Sequence, residues 1–395
     1  MGECLLFCFN CGEKARVKGM FCSACGTKLD RQTEENDFIE SKDGDLLATL
    51  EHRAKSVPIQ VRETFLQATE KINAMVGEQG AMDVNLRAVF SAVFKKHAKE
   101  EGEILFISGT KRTTPPENEI STTWPMPWLF SRVFIVLTFS YSLLYICTFL
   151  FENMNALPGL IMVGSFVAPF SLLIFFWEMN APRNISIYET AKMFFVGGTA
   201  SLVLTLFLYS IFPVYDLTYS GAIVVGVVEE IGKLAVVIYF IHKLNPKFIL
   251  NGLLIGATIG AGFAAFESAG YAFNFGIMYG DQAMISTLFN RAWMSIGTHV
   301  VWTAIAGAAL VYVKEGNPFN QHHLLNAKFI KLFSVPVILH SIWDMPLYYL
   351  QNFNFLYILL ISIAWIFIFT LINAGLHQIV RLNIEQVDEI DLPVG

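Results

Sequence analysis

Residues 128–151, WLFSRVFIVLTFSYSLLYICTFLF, carry a single charged side chain, Arg132, near their start. The hydrocarbon core of a bilayer takes about 20 apolar residues in helical form, so this run reads as a membrane span. Seven comparable segments follow, at about 157–177, 192–212, 220–241, 249–275, 287–313, 329–350 and 353–376. The composition agrees. A chain of 395 residues with 54% apolar side chains, 35 Phe and a mean hydropathy of +0.51 is too hydrophobic for an ordinary soluble protein. The expected fold class is mainly α: a polytopic membrane protein of about eight helices, with a small N-terminal zinc ribbon and a short helical cytosolic segment.

The loops fix an orientation. Lys111, Arg112 and Arg132 flank the start of the first span, Arg183 and Lys192 mark the second loop, and Lys243 and Lys247 the fourth. Lys314, Lys328 and Lys331 mark the sixth, and Arg381 follows the last span, whereas the odd-numbered loops have neither Lys nor Arg. The positive-inside rule then places both termini in the cytosol. The N-terminus, MGECLLFCFNCGEK, has no basic start and too short an apolar run for a cleavable signal peptide.

Ahead of the spans the character changes. Residues 1–120 hold 19 of the 33 acidic residues, and the net charge of −6 identifies no partner. CFNCGEK and CSACGTK present Cys8, Cys11, Cys22 and Cys25 as two C-x-x-C-G knuckles, the pattern of a four-thiolate structural zinc site. Reduced thiols suit a cytosolic N-terminus. Lys14, Arg16, Lys18 and Lys28 make this ribbon basic, but it has few stacking aromatics, so a cytosolic protein partner or a structural role is favoured over nucleic acid. The expected layout is a ribbon at 1–30, a charged linker at 31–57, amphipathic helices and a connector at 58–127, the membrane domain at 128–376, and a tail at 377–395. Within the third part, 58–77 and 84–99 read as helices, GEILFIS as strand-like, and Trp124 and Trp128 as interfacial anchors.

The fourth span contains GVVEEIGKLAVV, residues 226–237, with Glu229, Glu230 and Lys233 inside an apolar run. Charge at that depth is costly and is a functional hypothesis by default. Counted at 1.5 Å per residue from the outer helix ends, Glu229 and Glu230 lie about nine or ten residues in, Glu267 about eight, His299 about twelve and His340 about ten. Asp344 is one turn further out. Lys233 stands i+4 from Glu229 and i+3 from Glu230, so it neutralises one carboxylate of the pair, and Asp344 is i+4 from His340, placed to orient the imidazole. Gly252, Gly256, Gly260, Ala264 and Ser268 form one small-residue ridge, and His299, Thr303 and Gly307 another, which lets helices approach closely. Arg291 reads either as an interfacial anchor or as a substrate-carbonyl ligand. Carboxylates and imidazoles without a Ser–Lys pair point to water activation, either by a Glu base alone or by a Glu/His set holding Zn²⁺.

EEIGK, FAAFE and HSIWD match E-E-x-x-K, F-x-x-x-E and H-x-x-x-D motifs, with the His299 helix between the last two. Their order over residues 128–350 resembles the PrsW family of intramembrane proteases, related to the CAAX-processing and bacteriocin-processing membrane proteases. The resemblance implies regulated cleavage of a membrane-anchored protein, such as an anti-sigma factor, in a bacterial cytoplasmic membrane. It implies that Glu229 and Glu230 supply a base and a ligand or orienting carboxylate. Glu267, His299 and His340 would complete the water or metal site, with Asp344 behind them. Ligands for a second, catalytic zinc would then come from Glu230, Glu267, His299 and His340. Two other classes share part of the pattern: a transporter or proton pathway using buried acids, and a non-catalytic scaffold that displays the ribbon.

Overall fold

The computed structural model describes residues 6–7, 14–15, 63–64, 66–80, 82, 84–347 and 354–390. The chain divides into two units, Met1–Val61 and Arg62–Gly395. In the first, Leu6–Phe7 (β1) pairs antiparallel with Lys14–Ala15 (β2), with Leu6 opposite Ala15 and Phe7 opposite Lys14. The four ribbon cysteines and the linker lie outside the described residues.

The described part of the second unit is built of helices and turns. Residues 66–75 (α1), Leu86–Val89 (α2) and Lys99–Phe106 (α3) precede the long helices. The stretch expected to be helical over 84–99 stops early. After a 3₁₀ turn at Phe90–Ala92 the chain bends, and Arg132 takes the carbonyls of Val93 and Lys95, each at 3.0 Å. The strand-like GEILFIS run is mostly inside α3. Glu100 and Glu101 in the first turn complement the helix dipole, and Lys99 pairs with Glu103 at 3.2 Å, which is enough local support to override its Ile content. The Trp128 ring stacks on His97 at 3.9 Å, while Trp124 tilts against Phe369.

The long helices are Leu129–Tyr145 (α4), continued by a π-turn to Leu150; Leu157–Met179 (α5); Ile187–Lys192 (α6), a π-turn at Met193–Gly197 and Gly198–Ile211 (α7). Then come Tyr219–Leu244 (α8), Ile249–Tyr279 (α9), Asp281–Met294 (α10), His299–Lys314 (α11), Ala327–Asp344 (α12) and Phe355–Ile390 (α13). Among the described residues, six stretches are long and apolar enough to cross a membrane: Leu129–Leu150, Met154–Met179, Ile187–Ile211, Ile249–Tyr279, Asp281–Lys314 and Phe355–Ile384. The protein is therefore an integral membrane protein. The long helices outside this set are α8, which crowds Glu229, Glu230 and Lys233 together, and α12, which carries Lys328, Lys331 and Asp344.

The buried Glu178 carboxylate accepts the backbone N–H groups of Trp128, Leu129 and Phe130, each at 2.9 Å, and so caps α4. Gln378 of α13 accepts from the Ile249 N–H at the start of α9 and donates to the Lys247 carbonyl. Outside the spans, burial opposes ionisation of Glu78. Hydrogen bonds from His377 and Arg381 outweigh it and hold that carboxyl below its usual range.

Helix α9 is the axis of the unit, with 94% of its most apolar stretch buried, against 6% for α4. Its glycine ridge lies directly on α11. A Cβ on Gly252, Gly256 or Gly260 would come within 2.5, 2.1 and 2.3 Å of the carbonyl oxygens of Gly307, Thr303 and His299. Only glycine permits that approach, and the contact sets how close His299 comes to Glu267. Gly256→Ala is expected to cost about 1–3 kcal/mol by overpacking. Gly270→Ala, with nothing within 4 Å, should leave the midpoint unchanged or raise it. Thermal unfolding of the purified protein in detergent tests both.

Candidate active site

The clustered ionisable groups come from six helices. α8 carries Glu229, Glu230 and Lys233 on consecutive turns, α9 Glu267, α10 Arg291, α11 His299, α12 His340 and Asp344, and α7 contributes Tyr209. The segment expected as one helix over 287–313 is two, with α10 and α11 separated by a 3₁₀ turn at Ser295–Gly297 and a non-helical Thr298. The break has a packing cause. A Cβ on Gly297 would meet Ile361 of α13 at 2.5 Å, and Trp365 Nε1 donates to the Ile296 carbonyl at 2.9 Å. His299 is thus the first residue of a helix rather than a mid-helix group.

Lys233 is fully buried and central. Its Nζ lies 2.6 Å from Glu230 Oε1, 3.7 Å from Glu229 Oε2 and 2.8 Å from His299 Nδ1, over the Phe263 ring. An ammonium only donates, so His299 Nδ1 accepts, and the proton of the neutral ring sits on Nε2, facing Glu267 Oε2 at 3.2 Å. Glu267 is held in turn by Arg291, which also donates from Nε to Ser268 Oγ at 2.9 Å and stacks on Tyr271. Arg291 is therefore part of this network and not an interfacial anchor.

His340 is oriented from the other side. Its Nδ1 donates to Glu230 Oε1 at 2.8 Å, leaving Nε2 toward Glu229 Oε2 at 3.7 Å and Asp344 at 3.4 Å. Trp302 packs its ring 4.6 Å from that of His340 and 5.5 Å from that of His299. Tyr209 donates to Glu229 Oε1 at 3.1 Å. Glu229 Oε2, the other oxygen, is buried with no hydrogen-bond partner, as are Trp302 Nε1 and, behind the cavity lining, Glu230 Oε2.

These groups face a cavity of about 770 Å³, also lined by Pro213–Leu217, Tyr271, Asn274 and Trp343. Glu230 and Lys233 stand behind the lining, so the two adjacent glutamates have different tasks: Glu229 faces the cavity and Glu230 braces it. Tyr209 and Trp302 were not singled out by the motifs. Trp302 had a signal, one turn from His299 on the same helix face, but Tyr209 is one phenol among many apolar residues of its span.

The donor set suits a metal ion. Glu229, His299 and His340 each present one ligand atom, all within 4.8 Å of one another. Two imidazoles and a carboxylate with room for a fourth ligand is a zinc pattern. Four carboxylates (Glu229, Glu230, Glu267, Asp344) face two fixed cations (Lys233, Arg291), so an added cation is electrostatically welcome. Both His299 nitrogens are engaged, and one contact, to Lys233 or to Glu267, must open for that ring to bind metal.

Residues 186–372 match the PrsW family intramembrane metalloprotease. The matched segment holds every group of the cluster. No curated protein and no solved structure gave a match. The chain carries a membrane-embedded peptidase domain.

Removing Lys233 strands Glu230 in a low-dielectric interior. Lys233→Met is expected to cost about 3–5 kcal/mol, and adding Glu230→Gln should recover more than about 1 kcal/mol of it. Unfolding of the four proteins in detergent gives the coupling, and a value near zero would show that the two charges do not support each other.

Proposed function

We propose that the chain is an intramembrane endopeptidase that hydrolyses a peptide bond of a membrane-anchored protein, with Glu229 as the group that handles water. Glu229 Oε2 on the cavity wall, buried and without a hydrogen bond, with Lys233 Nζ and His340 Nε2 each at 3.7 Å, carries this reading. A buried carboxylate oxygen without a donor is costly, and a water or a substrate group would satisfy it.

In the reaction a water oxygen bonds to the scissile carbonyl carbon while its proton passes to Glu229 Oε2, and the proton is returned to the leaving amine as the C–N bond breaks. Tyr209 fixes Oε1 and so leaves Oε2 as the working atom. Glu230 holds His340 and Lys233 in place. Glu267, braced by Arg291, holds His299, and Asp344 flanks His340 Nε2. Phe263, Trp302 and Trp343 line the cavity with apolar surface that limits bulk water.

A zinc ion would be held by Glu229, His299 and His340, and when bound it would supply a water of lowered pKa and a polarised carbonyl. Glu229 is then a ligand instead of the base, and its loss is disabling in both cases. A second zinc, structural, is assigned to Cys8, Cys11, Cys22 and Cys25. Their C-x-x-C-G spacing supports it, and a cytosolic protein is the partner favoured for that ribbon.

The substrate class follows from the setting. The cavity lies among helices that cross or lie within the bilayer, so a single-span protein, anti-sigma-factor-like by family resemblance, is the natural occupant. Eight spans with both termini cytosolic, in a bacterial cytoplasmic membrane, complete the proposal. Here α8 and α12 cross as well, their charges satisfied inside the bundle instead of by lipid.

Two measurements test it. N-terminal proteomics of membranes expressing wild type or Glu229→Gln should reveal cleavage products confined to the wild type, with the rate falling about 10²–10⁴-fold in the variant. Equal products from both would sink the assignment. Metal analysis of the full chain should find about two zinc ions per wild-type molecule. It should find about one after Cys8, Cys11, Cys22 and Cys25 are all changed to Ser, and none when His340→Ala is added.

A further inference from the structure

Phe94 is 94% exposed, the most exposed aromatic of the described chain, and it sits on a turn tied to the start of α4 by hydrogen bonds. Val93 N–H and Lys95 N–H close the turn on the carbonyls of Phe90 and Ala92 at 3.2 and 3.1 Å. Arg132 Nη2 donates to the carbonyls of Val93 and Lys95, both at 3.0 Å. Phe90, one turn back, is packed inward against Phe130 of α4 and Phe175 of α5. On the far side His97 stacks flat on Trp128, the residue before α4 begins. The turn is thus clamped at both ends to the start of the first span.

That placement sets its height. Arg132 is the fourth residue of α4, about 5 Å along the axis from the helix start. Its side chain turns away from the span's apolar surface to reach the turn, as a snorkelling arginine does at a membrane boundary. Only 6% of the most apolar stretch of α4 is buried, so acyl chains must surround most of it. Phe134, Ile135 and Val136, immediately above Arg132, are among its exposed residues. Met126, 56% exposed, receives a hydrogen bond from Ser91 on the same side. Lys95 and Lys96, both exposed, follow Phe94 directly, where phosphates would meet them.

We propose that the Val93–Lys96 turn is a membrane-interface anchor, with Phe94 inserted at the headgroup–acyl boundary of the leaflet where the first span begins. Its continuity with exposed Met126 and with the lipid-facing surface of α4, and the two lysines that follow it, identify the bilayer as its partner. The segment between α2 and α3 is then a surface element of the membrane and not a free cytosolic one. The proposal is independent of any peptidase chemistry.

The test places p-benzoylphenylalanine at position 94 of the full chain, in proteoliposomes of phosphatidylethanolamine and phosphatidylglycerol. The same probe at Phe139, 63% exposed on α4, serves as the lipid-facing reference. After irradiation, mass spectrometry should find phospholipid adducts at 94 in a yield within about threefold of that at 139. A lower yield overturns the anchor, and so does a crosslink to protein, whether residues 1–61, a second copy or a soluble partner. Unchanged thermal midpoints for both labelled proteins exclude misfolding as the cause.

Discussion

The contact from Lys233 to Glu230 is the constraint on which the rest of the site depends. One ammonium, entirely removed from solvent, holds a carboxylate at 2.6 Å and a histidine nitrogen at 2.8 Å, and stands within 3.7 Å of a second carboxylate. Without it, two adjacent glutamates would lie in a membrane helix with no cation beside them. With it, Glu230 is committed to structure and Glu229 is released to the cavity. The asymmetry between neighbours in the sequence is therefore made by one residue a turn away.

Backbone proximity does the remaining positioning. α9 and α11 meet through glycine, close enough for carbonyl oxygens to occupy the space of absent side chains. This brings Glu267 and His299 within hydrogen-bonding reach although they belong to different helices. The break before His299 aims that ring into the cavity from a helix end. Non-helical backbone at membrane depth is tolerated only where protein or a cavity can satisfy it, and Trp365 satisfies the Ile296 carbonyl.

Much of this was legible in the sequence because it is governed by local periodicity. The i+3 and i+4 spacing of Lys233 and of Asp344 gave contacts that exist, and the small-residue ridges met as their spacing required. The charged positions of α8 were visible as an interruption of an apolar run. What could not be read depends on tertiary partners. The split between α10 and α11 is caused by Ile361 and Trp365, more than 60 residues away. Arg291 finds Glu267 only once α10 folds back along α9, and Tyr209 finds Glu229 only through the packing of α7 on α8. GEILFIS was misjudged because a short run of β-branched and apolar residues has no decisive period of its own.

Helix α13 touches places that are remote from one another. Over Phe355–Ile390 it is about 54 Å long, nearly twice the thickness of a hydrocarbon core. Trp365 grips the turn that precedes His299, Gln378 caps α9, and His377 and Arg381 hold Glu78 beyond the spans. A continuous helix is stiff along its axis, so these points form a strut. Force applied to the extramembrane segment at Glu78 reaches the broken turn about 24 Å away without passing through a loop.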